Sequence, residues 1–222
     1  MDKFPYFFFL PLGRAHTAAV CEKLQGMICA SLTMLNQRRG KAMEVFWYFF
    51  LYSFLGFLVE VTYVRLRREA KRDRKCRLIL PVCPVYGLGA LAILLLPQGV
   101  QQNPLLLFPA AALACTGVEY AAGLFYEKVF RVSFWSYAHL PLNLNGRVCP
   151  LFSLFWGGLA VLVLRVIHPW IALLVARIPP WLFLPAVLLW AADTILTALL
   201  LRRTGSTDAL RWYLRPARRS AA

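Results

Sequence analysis

The sequence predicts an all-α, polytopic transmembrane helical bundle of about five spans. Three observations carry that prediction. The chain is 60% hydrophobic over 222 residues, where soluble globular proteins are nearer ~45–50% apolar. Several uninterrupted apolar runs approach the ~20 helical residues needed to cross a hydrocarbon core of ~30 Å. The basic residues cluster beside those runs instead of spreading over one face. In lipid the backbone must satisfy its own hydrogen bonds, so such runs are helices. The short alternating segments of a β-barrel are absent.

Residues 1–42 are expected to form an N-terminal extension of poor order. Phe4 to Leu12 is apolar but contains Pro5 and Pro11, and it is too short to span. A single Lys3 precedes it and no clear small-residue cleavage site follows, so it does not read as a signal peptide. Residues 15–35 have the pattern of a modestly amphipathic helix. The transmembrane domain is expected over 43–202, with a basic tail at 203–222. Its first span is predicted at about Met43–Val64. The second, at about Leu78–Leu96, starts with Pro81 and Pro84, which predicts an irregular or re-entrant first turn. An uncharged turn, Gln98–Asn103, leads to a third span at about Pro104–Phe130. A polar and aromatic loop over 131–147 precedes the fourth span, about Val148–Ile167. After His168 and Pro169 comes a short apolar stretch, ending at Pro179-Pro180, that is expected to lie in the interface or dip into the membrane. The fifth span is predicted at about Trp181–Leu201.

The chain carries 25 Lys and Arg against 10 Asp and Glu, a net charge of +15. No nucleic-acid-binding motif accompanies that charge, and its placement beside apolar runs points to orientation and anionic headgroups. The partner so implied is the lipid bilayer. Residues 65–77 hold eight Lys or Arg, the 98–103 turn none, 128–147 three, 168–180 only Arg177, and the tail from Arg202 six. The positive-inside rule then places the first and third loops and the C-terminus in the cytoplasm. Arg38, Arg39 and Lys41 pull the other way, but with fewer charges. The expected location is the cytoplasmic membrane of a bacterium.

Ionisable groups inside a span cost ~2.5–3.5 kcal/mol each at its centre, so Glu60, Glu119, Glu127 and Asp193 mark where function or buried structure must be sought. Gly56 and Glu60 share a helix face, as do Glu119, Gly123 and Glu127, with Tyr120 alongside. Glu60 and Glu119 read best as walls of a polar cavity. Glu127 lies near a membrane end beside Lys128, where a structural ion pair is equally natural. For Asp193, set among apolar residues, the structural reading leads. Tyr86, Gly87 and Gly89 give the second span a small-residue face that admits close helix approach.

The stretch Phe134 to Cys149 mixes Trp135 and Tyr137 with Asn143, Asn145 and Arg147. Asn-Leu-Asn-Gly can turn tightly, with Gly146 free to adopt positive φ. Arg147 is placed to bind a carboxylate such as Glu119 or Glu127, or a ligand phosphate. An aromatic belt with a snorkelling arginine is the plainer alternative; the two asparagines fit it less well. The six cysteines include no C-x-x-C pair and read as small apolar packers. His16, His139 and His168 are scattered without metal-ligand spacing, so neither a metal nor a cofactor is expected.

Four pieces of this chain resemble the CmpB-like membrane proteins, a family of type IV ABC-transporter permeases. They are Tyr52-Ser-Phe-Leu-Gly-Phe-Leu-Val-Glu60, Cys83-Pro-Val-Tyr-Gly-Leu-Gly89, Glu119-Tyr-Ala-Ala-Gly-Leu-Phe-Tyr-Glu127, and Leu142-Asn-Leu-Asn-Gly-Arg-Val-Cys149 with Ser153 and Trp156-Gly157 following. They occur in the family's order over roughly 43–165. The family pattern usually has an Asp between the aromatics; here that position is Ser136, so any proton or cation role of that acid does not transfer. The resemblance implies a membrane component of a transporter.

Three functions are therefore weighed. A permease-like subunit needs a separate ATPase, because Gly40-Lys41 lacks the rest of a phosphate-binding loop. A homo-oligomer is a further possible assembly. The first alternative is a membrane-embedded enzyme acting on a lipid or lipid-linked substrate, with Glu119 or Glu60 as general base and Arg147 and the asparagines as holders of a phosphate or carbonyl. The second is a non-catalytic scaffold subunit. The transport-associated reading is the one the resemblance favours.

Overall fold

A computed structural model describes the backbone of residues 13–66 and 76–211 and the side chains of 40–66 and 76–211. Residues 1–12, most of the basic 65–77 loop, the tail beyond 211, and the side chains of Arg38 and Arg39 lie outside the described residues. The chain divides into two units, Met1–Ala42 and Met43–Ala222. The described part of the first is helical. The account that follows concerns the second.

Most of the described residues are helical, with no strands among them. They comprise α1 (Gly13–Leu66), α2 (Pro84–Leu94), α3 (Gln98–Gln102), α4 (Pro104–Phe130), α5 (Pro150–Leu162), α6 (His168–Ala176) and α7 (Phe183–Thr204). Four helical stretches are long and apolar enough to cross a membrane: Gly40–Leu66, Pro104–Phe130, Pro150–Ala176 and Pro180–Thr204. The third of these joins α5 to α6 through a π-helical turn at Val163–Ile167. Together with the shorter apolar α2 they form the predicted all-α polytopic bundle of about five spans.

The surface is apolar, and the acids at the middle of the spans are turned inward, away from lipid. Leu105 is 84% and Leu113 77% exposed, whereas Glu119 is 4% and Asp193 0% exposed. Glycines set the closest helix approaches. A Cβ at Gly56 would run into the Tyr86 ring, and one at Gly87 would stand 2.5 Å from the Phe49 carbonyl oxygen. These contacts seat α2 against α1. On its other side α2 packs on α4 and α5 through Ile93, Leu107, Ala111, Cys115 and Ala160.

Two segments differ from the predicted spans. The apolar run at 78–96 is not one helix. Residues 76–83 are non-helical, and only the 11 residues Pro84–Leu94 coil, about 16 Å at 1.5 Å per residue. Pro81 and Pro84 account for the break, since neither can donate a helical hydrogen bond. The freed backbone is satisfied by α7. Ile79 N–H and Leu80 N–H donate to the Asp193 carboxylate at 2.8 and 3.3 Å. Leu78 N–H donates to Thr197 Oγ1 at 3.0 Å, and Arg77 donates to Thr194 Oγ1. Arg77 also lies over the Trp190 ring, 4.3 Å from its centroid. Positions 190, 193, 194 and 197 share one helical face. Asp193 thus holds main chain that would otherwise be orphaned at membrane depth.

Of the two placements expected for the stretch after His168, in the interface or dipping into the membrane, the structure departs from the first. The stretch continues the fourth span to Ala176. Pro169 lacks an N–H and would crowd the carbonyl four residues back. The π turn relieves that conflict, with His168 N–H reaching back to Val163 O.

Candidate functional site

Between the helices lies a partly open cavity of about 270 Å³. Its carboxylates are Glu60 from α1 and Glu119 from α4. Aromatic rings supply most of the remaining wall. Tyr63, Tyr86 and Tyr126 come from the helices nearest the break in the second span, and Trp135 and Tyr137 come from the 131–149 loop. Phe152, Phe155 and Trp156 come from the first turns of α5. The described lining includes no Lys, Arg or His.

Neutral donors reach both carboxylates. Tyr137 OH donates to Glu119 Oε1 at 2.8 Å, and Trp156 Nε1 donates to Oε2 at 2.8 Å. Tyr86 OH donates to Glu60 Oε1 at 2.9 Å. The Tyr86 and Trp156 rings meet edge-on with centroids 5.1 Å apart. A continuous chain therefore runs from Glu60 through Tyr86 and Trp156 to Glu119, touching four helices. Beyond that ring pair lies a second cavity of about 70 Å³. Tyr86 and Trp156 line both. Tyr63 and Tyr126 place the larger cavity toward the C-terminal ends of α1 and α4. Ile93 and Ile167 place the smaller one toward the opposite end of the bundle.

The loop reaches the cavity through a tight turn. Asn145 and Gly146 have φ of 54° and 69°, the left-handed region these residue types tolerate best. Asn143 Oδ1 accepts from Gly146 N–H at 2.9 Å, while its Nδ2 donates to Leu140 O at 2.8 Å. Gly146 O in turn accepts from Tyr137 N–H at 2.7 Å, fixing the backbone from which the Tyr137 ring projects.

Arg147 is committed elsewhere. Its Nε and Nη2 converge on Glu127 Oε2, the former at 2.9 Å. Nη1 donates to Tyr120 OH at 3.3 Å, and Asn145 Nδ2 donates to the same oxygen at 3.0 Å. The acceptance by Glu127 raises the Arg147 pKa above its ordinary value, so the guanidinium keeps its charge. The aliphatic stem of Arg147 fills the gap over Gly123, 3.4 Å from where a Cβ would stand. Trp135 joins the two clusters, since its Nε1 donates to Arg147 O at 2.9 Å while its ring faces the cavity.

The ten candidate residues therefore divide. Glu60, Tyr86, Glu119, Trp135 and Tyr137 come together around the cavity. Tyr120, Glu127, Asn145 and Arg147 form a polar cluster at its rim, and Asn143 ties the turn. Trp156 was not among the candidates, although it donates to Glu119. An indole within an apolar span, rather than in the interfacial belt where Trp concentrates, is the signal that points to it. Among the described residues no group of three or more His, Cys, Asp or Glu is placed to hold a metal ion.

A polytopic helical bundle with a carboxylate-bearing cavity between its helices defines an integral membrane protein with polar groups turned inward. The family described as "Putative ABC-transporter type IV", the CmpB family, matches residues 47–198. The chain belongs to that family and is a transport-associated integral membrane protein. No curated protein and no solved structure matches it.

Proposed function

We propose that this protein is the membrane-spanning subunit of a transporter, that its substrate occupies the cavity between Glu60 and Glu119, and that a separate chain supplies ATP hydrolysis. One observation carries the proposal: two cavities lie on either side of the Tyr86–Trp156 ring pair, toward opposite ends of the bundle. A transport path needs a site reachable from each face in turn and a narrow partition between. Rotation of two rings about their χ angles is a small motion for that purpose. The half-length α2, which carries Tyr86, meets non-helical backbone at its N-terminus, an arrangement that recurs at transporter sites. We further place the larger cavity on the cytoplasmic side, in the cytoplasmic membrane, because Arg65 in the last turn of α1 and Arg202 and Arg203 in the last turn of α7 stand at that end of the bundle, Arg202 over the Phe130 ring.

Affinity purification of the full chain in mild detergent tests this reading. An ATPase subunit should copurify, and the complex should hydrolyse ATP. Trp156→Ala, which removes half of the partition, should uncouple hydrolysis from uptake in reconstituted vesicles. A chain that purifies alone and confers no ATP-dependent uptake would sink the proposal.

A further inference from the structure

We infer that His168 is a proton-binding site beside the smaller cavity, and that its occupancy sets the direction of the Tyr52 hydrogen bond there. None of the groups involved lines the larger cavity.

Four polar residues from two spans assemble at this end of the bundle. Glu44, Tyr48 and Tyr52 are spaced by four on α1 and share a face. His168 meets them from the fourth span, where the π turn passes into α6. Tyr48 OH donates to Glu44 Oε1 at 3.0 Å. The imidazole lies against both phenol rings, with centroids 5.2 Å from Tyr48 and 6.4 Å from Tyr52, and it is nearly parallel to Tyr52 at 20°. Its Nδ1 shares a hydrogen bond with Tyr52 OH at 3.0 Å. Exposure falls along this file. Glu44 is exposed, His168 is half-buried, and Tyr52 is buried in the wall of the smaller cavity.

The neighbours on α1 favour a charged ring. Both phenol faces attract a cation at this range, and the Glu44 carboxylate, one turn beyond Tyr48, adds an opposite charge. Lys41 stands exposed a further turn outward. On the histidine's own span, Arg165 donates to the carbonyl oxygens of Gln101 and Gln102 at the end of α3, and Arg177 follows α6. Across the smaller cavity the titratable groups are Tyr86 of α2 and Cys115 of α4. Neither α3 nor residues 183–192 of α7 carry a charge.

Proton uptake changes the hydrogen bond in a defined way. The neutral ring carries its hydrogen on Nε2, and Tyr52 donates to bare Nδ1. An imidazolium donates from both nitrogens. A proton from solvent on Nδ1 therefore obliges Tyr52 to accept, and the phenol hydrogen, still on its oxygen, turns to another acceptor. A buried donor is costly to leave unpaired. The wall of the smaller cavity must then rearrange to satisfy it.

The test is NMR of the full chain in lipid nanodiscs, labelled with ¹⁵N in histidine and ¹³Cζ in tyrosine, from about pH 5 to 8. The His168 nitrogens should titrate in one step, and the Tyr52 Cζ resonance should move with the same midpoint. Tyr52→Phe, which removes the acceptor for Nδ1–H, should weaken proton binding by about threefold or more. Glu44→Gln should weaken it by about twofold, moving the midpoint to lower pH. His139→Asn, in the exposed part of the 131–149 loop, should leave it unchanged. His168→Asn assigns the signal. Should that variant fail to fold, replacing His16 and His139 with Asn leaves His168 as the one histidine of the chain. A His168 ring held in one protonation state throughout, a Tyr52 resonance that does not follow it, or a midpoint indifferent to both α1 variants overturns the inference.

Discussion

Glu119 and Glu127 lie two helical turns apart on one stripe of α4, yet they meet different partners. Glu127 sits at the rim and takes Arg147. Glu119 sits inside and takes Tyr137 and Trp156. The stripe itself was legible from spacing alone, because a period of four places residues on one face. The division was not, since Arg147 is 20 residues from Glu127 and Trp156 is 37 from Glu119, and only the closed bundle decides which acid each reaches. At this scale a double-mutant cycle is informative. Glu127→Gln and Arg147→Gln should each lower the thermal midpoint in detergent and speed proteolysis within 131–149. The double variant should cost no more than the worse single change, because the second removes a partner already unpaired. Additive losses would show that the two side chains do not act as a pair.

Among the elements, α4 was the most legible. Asn103 accepts from Leu105 N–H at 3.0 Å and Pro104 opens the helix, both ordinary start signals, and the predicted bounds coincide with those found. The second span was only partly legible. Pro81 and Pro84 announced an irregular start, but an apolar run does not say where helix gives way to extended chain. That depends on Asp193, which lies 114 residues from Ile79. The reach of the fourth span past Pro169 was missed because a proline ordinarily ends a helix, and the π turn that absorbs it has no sequence signature.

Close packing of these elements makes a prediction from two adjacent glycines. A Cβ at Gly157 would stand 2.8 Å from the Phe108 carbonyl oxygen, whereas one at Gly158 meets nothing within 4 Å. Gly157→Ala should therefore destabilise by ~1–3 kcal/mol through overpacking of α5 on α4. Gly158→Ala should be neutral or stabilising by up to ~1 kcal/mol through helix propensity. Thermal unfolding of both variants in one detergent checks this; shifts of the same sign and size would contradict the α4–α5 contact.

The whole molecule is a polytopic bundle whose second crossing is half non-helical and half coiled. That arrangement bears on how the chain is made. Pro84–Leu94 alone is too short to cross, and the residues before it leave the ribosome with their N–H groups unsatisfied. Their acceptor is synthesised 114 residues later. At ~5–20 residues per second that is roughly 6–23 s of waiting. The second crossing should therefore be completed last, after α7, although it is second in order. Single cysteines introduced at Gln101 and Ser206 in a chain cleared of its own should react from opposite sides of the membrane in the full-length protein. In a chain stopped before α7, the cysteine at Gln101 should be found on the side where it started. Were it to cross without α7, the insertion machinery would be reading the 78–96 run as a span in its own right.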